Sequence, residues 1–332
     1  MTGTILLGLA GIGFYALNRS LVSPKGGSTA TVTPAGIPTT DSNSEASPAT
    51  TSAGVPVVVV ETTSGAAHKL IRRDGSDDKL LFTDADESFR LSALFDVAGS
   101  DIYAAGSSPT DGDAVRIVKI ATDGSGKSEL LSATISLGSV AISRDGTQSA
   151  LVSFDNTEGN FGFTLKTQPL SGGTGEAIDQ SANGVALPRW SGAGSLAYVV
   201  GQATPDHGQA IKLRKTGTST TVFTSEKSQV ITDLAWLGDD KMALVLEPLG
   251  NNAQNKASVL IITTSDGKAD QTYDLPGKER SLHADGSGQY LALVSGEVQG
   301  AGENAGPVTV IDLSSGTQTS RGNAIAIAGF LQ

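Results

Sequence analysis

One short motif recurs along this chain at a nearly constant step, and few architectures accommodate that. Apolar tetrapeptides following a tight turn align as Val57-Val58-Val59-Val60, Ile102-Tyr103-Ala104-Ala105, Ser149-Ala150-Leu151-Val152, Leu196-Ala197-Tyr198-Val199, Met242-Ala243-Leu244-Val245 and Leu291-Ala292-Leu293-Val294. Their first positions, 57, 102, 149, 196, 242 and 291, lie 45, 47, 47, 46 and 49 residues apart. All but the first follow an apolar run and a small-residue turn, as in VAISRDGTQ, PRWSGAGS and LAWLGDD. After each comes a polar loop and then a third run that alternates, such as Val115-Arg116-Ile117-Val118-Lys119-Ile120. A Gly turn and a fourth run complete the unit. Alternation with period two marks a strand with one buried face. Four short strands per step, six times over, predict an all-β fold: a six-bladed β-propeller of four-stranded antiparallel blades.

The same ruler explains the two ends of the repeat region. Ala324-Ile325-Ala326-Ile327-Ala328-Gly329-Phe330 reads as the first strand of a blade with nothing after it. Val57–Val60 reads as a second strand with no first strand before it. Joining them closes the ring and removes two open sheet edges. The expected domain is therefore residues 56–332, closed by a C-terminal strand in the N-terminal blade.

Composition agrees with strands and turns. Glycine reaches 41 of 332 residues and aromatics only 5%. The net charge is −11, and residues 1–55 contribute nothing to it, since Arg19 and Lys25 offset Asp41 and Glu45. Such a surface repels phosphate backbones and excludes nucleic acid as an expected partner, while suiting cations and basic proteins. The absence of cysteine removes thiolate metal sites, disulfides and cysteine nucleophiles together.

Residues 1–22 contain an uncharged apolar run, Ile5–Leu17. With the three residues before it, a helix there would be about 24 Å long, against about 30 Å of hydrocarbon. It is expected to insert in a membrane as an anchor or signal-like helix. Residues 23–55 are rich in Ser, Thr, Pro, Ala and Gly, too polar to repay the entropy of folding, and read as a flexible linker. A stalk of that composition suits a propeller facing the periplasm or cell exterior. Arg19 and Lys25 just after the apolar run argue the other way by the positive-inside rule.

The stretches Trp190-Ser191-Gly192-Ala193-Gly194-Ser195-Leu196-Ala197-Tyr198 and Ile142-Ser143-Arg144-Asp145-Gly146-Thr147-Gln148-Ser149-Ala150-Leu151 resemble the W-S-P-D-G-x-x-L-A repeat of TolB-like propellers. Only Trp190 and Trp236 keep the aromatic, and only Asp145-Gly146 keeps the Asp-Gly. The resemblance implies an extracytoplasmic binding or scaffold module; some propellers of this kind accompany peptidases or act as sugar lyases.

Candidate chemistry is sparse. Ala121-Thr122-Asp123-Gly124-Ser125-Gly126-Lys127-Ser128 fits a relaxed phosphate-loop pattern, but strand-like flanks replace the helix such a loop requires, so a Gly-rich β-turn is expected. Of the three histidines, His68 should begin a third strand, His207 should lie in a loop, and His283 should face the central channel. Channel histidines serve propeller lyases, which makes His283 the residue to watch. No G-x-S-x-G elbow exists. The long loops between second and third strands are expected to gather on one face and carry recognition through Asp111, Asp113, Asp155, Glu158, His207, Glu297 and Glu303. No cofactor is expected beyond a structural cation at the acidic loops. The composite expectation is a membrane-tethered, non-catalytic module that binds envelope proteins. The alternatives are a propeller lyase or hydrolase working at the channel mouth, and a subunit of a surface assembly.

Overall fold

The computed structural model describes residues 56–331, apart from 63–67, 75–77, 85–89, 99–100, 108–113, 135–136, 158–159, 250–256, 276–278 and 296–304. The expected helix at 1–22 and linker at 23–55 lie outside the described residues. Those that are described form twenty-four strands and no helix.

Blade 1 holds β1 (Val57–Thr62), β2 (His68–Arg73) and β3 (Asp78–Thr83). Blade 2 is β4 (Arg90–Ala98), β5 (Asp101–Ser107), β6 (Ala114–Ala121) and β7 (Lys127–Thr134). Blade 3 is β8 (Leu137–Ile142), β9 (Gln148–Thr157), β10 (Asn160–Pro169) and β11 (Glu176–Ser181). Blade 4 is β12 (Val185–Trp190), β13 (Leu196–Val200), β14 (Ala210–Lys215) and β15 (Thr218–Thr224). Blade 5 is β16 (Gln229–Leu237), β17 (Lys241–Pro248), β18 (Ser258–Thr263) and β19 (Ala269–Asp274). Blade 6 is β20 (Glu279–Ala284), β21 (Tyr290–Ser295), β22 (Gly306–Asp312) and β23 (Gln318–Ala324). The last strand, β24 (Ala326–Phe330), returns to blade 1, giving the order β24-β1-β2-β3.

That closure is antiparallel, pairing Val57 with Phe330, Val59 with Ile327 and Val60 with Ala326. Ile325 N donates to Val60 O at 2.8 Å and Leu331 N to Pro56 O at 3.1 Å, one at each end of the pair. The innermost strands β24, β4, β8, β12, β16 and β20 contact one another in that order and back to β24, so the ring is complete.

The packing explains why the second strands read as unbroken apolar runs. Val58 and Val60 point into a cluster shared with Leu91, Ile102 and Ile120 of blade 2. Val57 and Val59 point the other way, into a cluster with Val294, Val308 and Val310 of blade 6. One such cluster fills each of the six blade boundaries. A strand sandwiched on both faces has no solvent side, so its sequence cannot alternate.

Two sequence expectations meet the structure differently. The phosphate-loop look-alike is strand, turn and strand: Ala121 ends β6, Gly124 N donates to Ala121 O at 3.0 Å, and Lys127 begins β7. The expected long loop at 154–160 is a correction. There β9 and β10 run on as a hairpin, paired as far as Thr157 with Asn160. Phe154 and Phe163 face each other across it, ring centroids 5.1 Å apart, and this cross-strand aromatic contact extends the ladder. Asp155 thus sits on a strand, opposite Gly162, and not in a loop.

Candidate functional site at the channel mouth

The inner strands carry the site, and bulges shape it. Each of the six has a register shift against its second strand. A bulge re-aims the residues beside it. On β12 the shift falls between Ala186 and Arg189, with Leu187 held at φ 50, a left-handed conformation unusual for a leucine. On β16 it falls between Ile231 and Asp233.

These two irregular strands meet at a charged pair. Arg189 Nη2 lies 2.8 Å from Asp233 Oδ1, and Arg189 Nε donates to Leu234 O at 3.1 Å. Asp233 then stitches onward to blade 6, its Oδ2 accepting from Leu282 N at 2.9 Å. Trp236 Nε1 returns a bond to Arg189 O at 2.9 Å. On the far side, Asp96 of β4 accepts from Ile142 N of blade 3 at 3.0 Å and from Val97 N at 2.9 Å. Ser281 of β20 exchanges two bonds with Ile327 of β24, at 3.3 and 3.2 Å. Burial pushes both the Asp96 and the Asp233 carboxyls up, against the pull of Arg189 and of the backbone N–H groups.

A cavity of about 110 Å³ opens at the C-terminal ends of the inner strands. Every blade contributes: Asp96 and Val97, Ile142, Arg189 and Trp190, Trp236, His283, and Phe330 are all on its wall. The turns that follow add Arg144, Gly192, Gly238 and Asp285. Trp190 Nε1 is buried without a hydrogen-bond partner among the described residues. His283, half-buried, is depressed to about 3, first by burial and then by the Arg189 charge, so it is neutral at ordinary pH.

The rim is built from rigid turns. In the blade 3 turn, Asp145 Oδ1 accepts from Ser143 Oγ at 2.6 Å and from Thr147 N at 3.1 Å. Gly146 there has φ +67, and a Cβ on it would meet the Tyr103 hydroxyl at 2.4 Å, so only glycine fits. From the same turn Arg144 reaches across the mouth, its Nη1 donating to Gly286 O of blade 6 at 3.3 Å. Blades 3 and 6 stand opposite each other in the ring.

The residues singled out by sequence fall elsewhere, with one exception. His283 is on β20, on the cavity wall. In an antiparallel blade, second-to-third connections lie at the opposite end from first-to-second turns, so the expected recognition loops face away from this cavity. Exposed His207 is in such a connection, between β13 and β14. Asp111, Asp113, Glu158, Glu297 and Glu303 lie outside the described residues. His68 begins β2, the third strand of its blade as expected, with its Nδ1 3.2 Å from the buried Asp84. Among the described residues no three His, Asp or Glu side chains gather closely enough to hold a metal ion.

Sequence reasoning missed Asp96, Arg189 and Asp233. A signal existed: each is a charge inside an otherwise apolar inner strand, LFDVA, ALPRW and ITDLAW. A charge in such a place needs a partner or a neutralising proton.

No family model and no curated protein matches this sequence. Solved structures do share its fold. TolB from Acinetobacter baumannii superposes with a TM-score of 0.58 at 14% identity, covering 83% of this chain and 67% of that one. A putative TolB from Agrobacterium tumefaciens gives 0.54 at 13%, covering 82% and 92%. An oligogalacturonate lyase in complex with manganese gives 0.53 at 11%, covering 77% and 71%. At these identities the likeness concerns fold alone, and in fold this chain is a TolB-like six-bladed propeller.

Proposed function

We propose that this propeller is a non-catalytic binding module of the cell envelope, tethered through residues 1–22 and docking a protein partner at the channel mouth. The observation that carries the reading is how the channel's ionisable groups are spent. Asp96 and Asp233 each accept a backbone N–H from the next blade, and Arg189 is committed to Asp233 and Leu234 O. Structural networks of this kind also perturb titrations, so the shifted carboxyls and imidazole do not require a reaction. Small-molecule sites commonly occupy about 300–1,000 Å³. A cavity of about 110 Å³ instead suits the end of one inserted side chain.

The second reading, a lyase or hydrolase at the same mouth, draws on one observation: His283 shares the cavity with Asp96. With its basicity depressed to about 3, that imidazole is a weak proton acceptor.

The deciding experiment is site-specific photo-cross-linking in the native membrane. A photoreactive residue at Thr147 or Ser287, both exposed on the mouth face, is expected to capture one envelope neighbour in stoichiometric yield. Capture from His207 on the other face and not from the mouth would move the docking site to the long loops. Absence of any neighbour would favour the catalytic reading.

A further inference from the structure

One side chain of the protein itself crosses the channel mouth. Arg144 leaves the blade 3 turn, passes over the blade 4 turn at Gly192 and ends on the blade 6 turn at Gly286. The bare backbone at Gly192 makes this path: a Cβ there would lie 3.1 Å from Arg144 Nη1. We infer that the mouth is a recognition site for a cationic side chain, a guanidinium or ammonium group on the docked partner, and that Arg144 holds that place in the free protein. The inference rests on the reading that a partner docks at this face.

Three observations support it. First, the position has the chemistry of a cation site. Besides the Gly286 carbonyl, the carboxylates of Asp239 and Asp285 stand at the rim, and Asp239 Oδ1 would lie 3.2 Å from that same Cβ at position 192. Asp239 is fixed by a bond from Ala193 N at 2.7 Å and is the preorganised acceptor, whereas Asp285 spends both oxygens in its own turn, on Tyr290 N and on Ser287 N and Oγ, and adds only its charge. Second, Arg144 is held lightly. It is exposed, and the 3.3 Å contact with Gly286 O is its one hydrogen bond among the described residues, with no ion pair. A side chain so held is displaceable by a stronger ligand of the same kind. Third, the net charge of −11 draws basic partners toward the protein. Below the rim, Trp190 and Trp236 are on the cavity wall.

The chain has two tryptophans, and both line this cavity, so intrinsic fluorescence reports on the site directly. The experiment titrates the full-length protein with N-acetyl-arginine amide, and with the citrulline and glutamate counterparts as uncharged and anionic controls. The arginine probe is expected to give a saturable change, at least tenfold tighter in Arg144→Ala than in the unaltered protein, with no saturable response to either control. Arg144→Lys should fall between the two. If Arg144→Ala failed to fold, Arg144→Met, which keeps the aliphatic stem and loses the guanidinium, should tighten binding in the same direction. Equal affinity with and without Arg144, a citrulline response matching that of arginine, or no saturable change at all would each overturn the inference. Cross-linking from the mouth with no probe response would overturn it while leaving the docking reading intact. A probe response without any cross-linked neighbour would support the cation site and count against docking.

Discussion

Arg189 and Asp233, 44 positions apart in the chain, meet at 2.8 Å across the boundary between blades 4 and 5. Asp233 is nearly enclosed, and its two oxygens also accept from Leu234 N and Leu282 N. Removing the arginine strands a buried carboxylate. Breaking a buried pair from one side costs about 3–5 kcal/mol, and because some water reaches Arg189 the lower end is expected for Arg189→Met. Adding Asp233→Asn removes the charge but keeps one acceptor where Leu234 N and Leu282 N need two, setting the new NH2 against one of these donors, so the double variant should recover only about 1 kcal/mol of the loss. Urea unfolding measures both; a double variant no more stable than Arg189→Met would show that charge burial is not what the pair relieves.

The closure of the ring gives the second prediction. Deleting 326–332 removes β24, exposes the edge of β1 and empties one side of two boundary clusters, which contain Ile327 and Phe330 on one side and Ala326 and Ala328 on the other. The loss should reach about 4 kcal/mol or more, since even Ile327→Ala alone is expected to cost about 2–4 kcal/mol. Thermal unfolding followed by circular dichroism tests it. A transition unchanged by the deletion would mean that β24 does not close the ring.

Period and closure were legible because both depend on strands that repeat. The run Val57–Val60 announces burial on both faces, and Ala324–Phe330 announces a strand in need of a partner. The hairpin at 154–163 was not legible, because it turns on the facing of Phe154 and Phe163 across a ladder that composition read as loop. The site was legible only at His283. Arg144 and Gly286 are 142 positions apart, and their meeting depends on the diameter of the ring and the pitch of two turns. Bulges hid Arg189 and Asp233 further, since a register shift decides which way each points.

His283 supplies a prediction about acid. Its value falls from 6.5 to about 3 on folding, chiefly through burial, with the Arg189 charge adding to it. The unfolded chain therefore binds a proton that the folded protein refuses. Stability from this residue is complete above pH 6.5 and is lost as pH falls toward 3, with a slope of at most about 1.4 kcal/mol per pH unit. His283→Gln should flatten the stability profile across that window. By NMR, the His283 ring protons of the folded protein should stay in their neutral position down to about pH 4. Titration near 6.5 would show that the imidazole is open to solvent.

Tyr198 should govern the alkaline side. It is fully buried on β13, and its hydroxyl sits 3.0 Å from Asp179 Oδ2 on blade 3 and 2.9 Å from Ser219 Oγ. Lys212 Nζ, 2.7 Å from the same Asp179 oxygen, keeps that carboxylate paired if the hydroxyl is removed. Tyr198→Phe should therefore cost only about 1–1.5 kcal/mol near neutrality, the worth of one partly replaced hydrogen bond. Burial pushes the phenol from 10.0 up to about 12, so folding opposes its ionisation. That contribution is complete below pH 10 and is lost as pH rises toward 12, because the unfolded chain gives up the proton first. The phenylalanine variant lacks this loss, and the stability gap between the two proteins should narrow from pH 10 upward. Urea midpoints measured from pH 8 to 11.5 read the gap directly. A gap that stays constant across that range would mean the hydroxyl ionises as freely in the folded protein as in the unfolded chain.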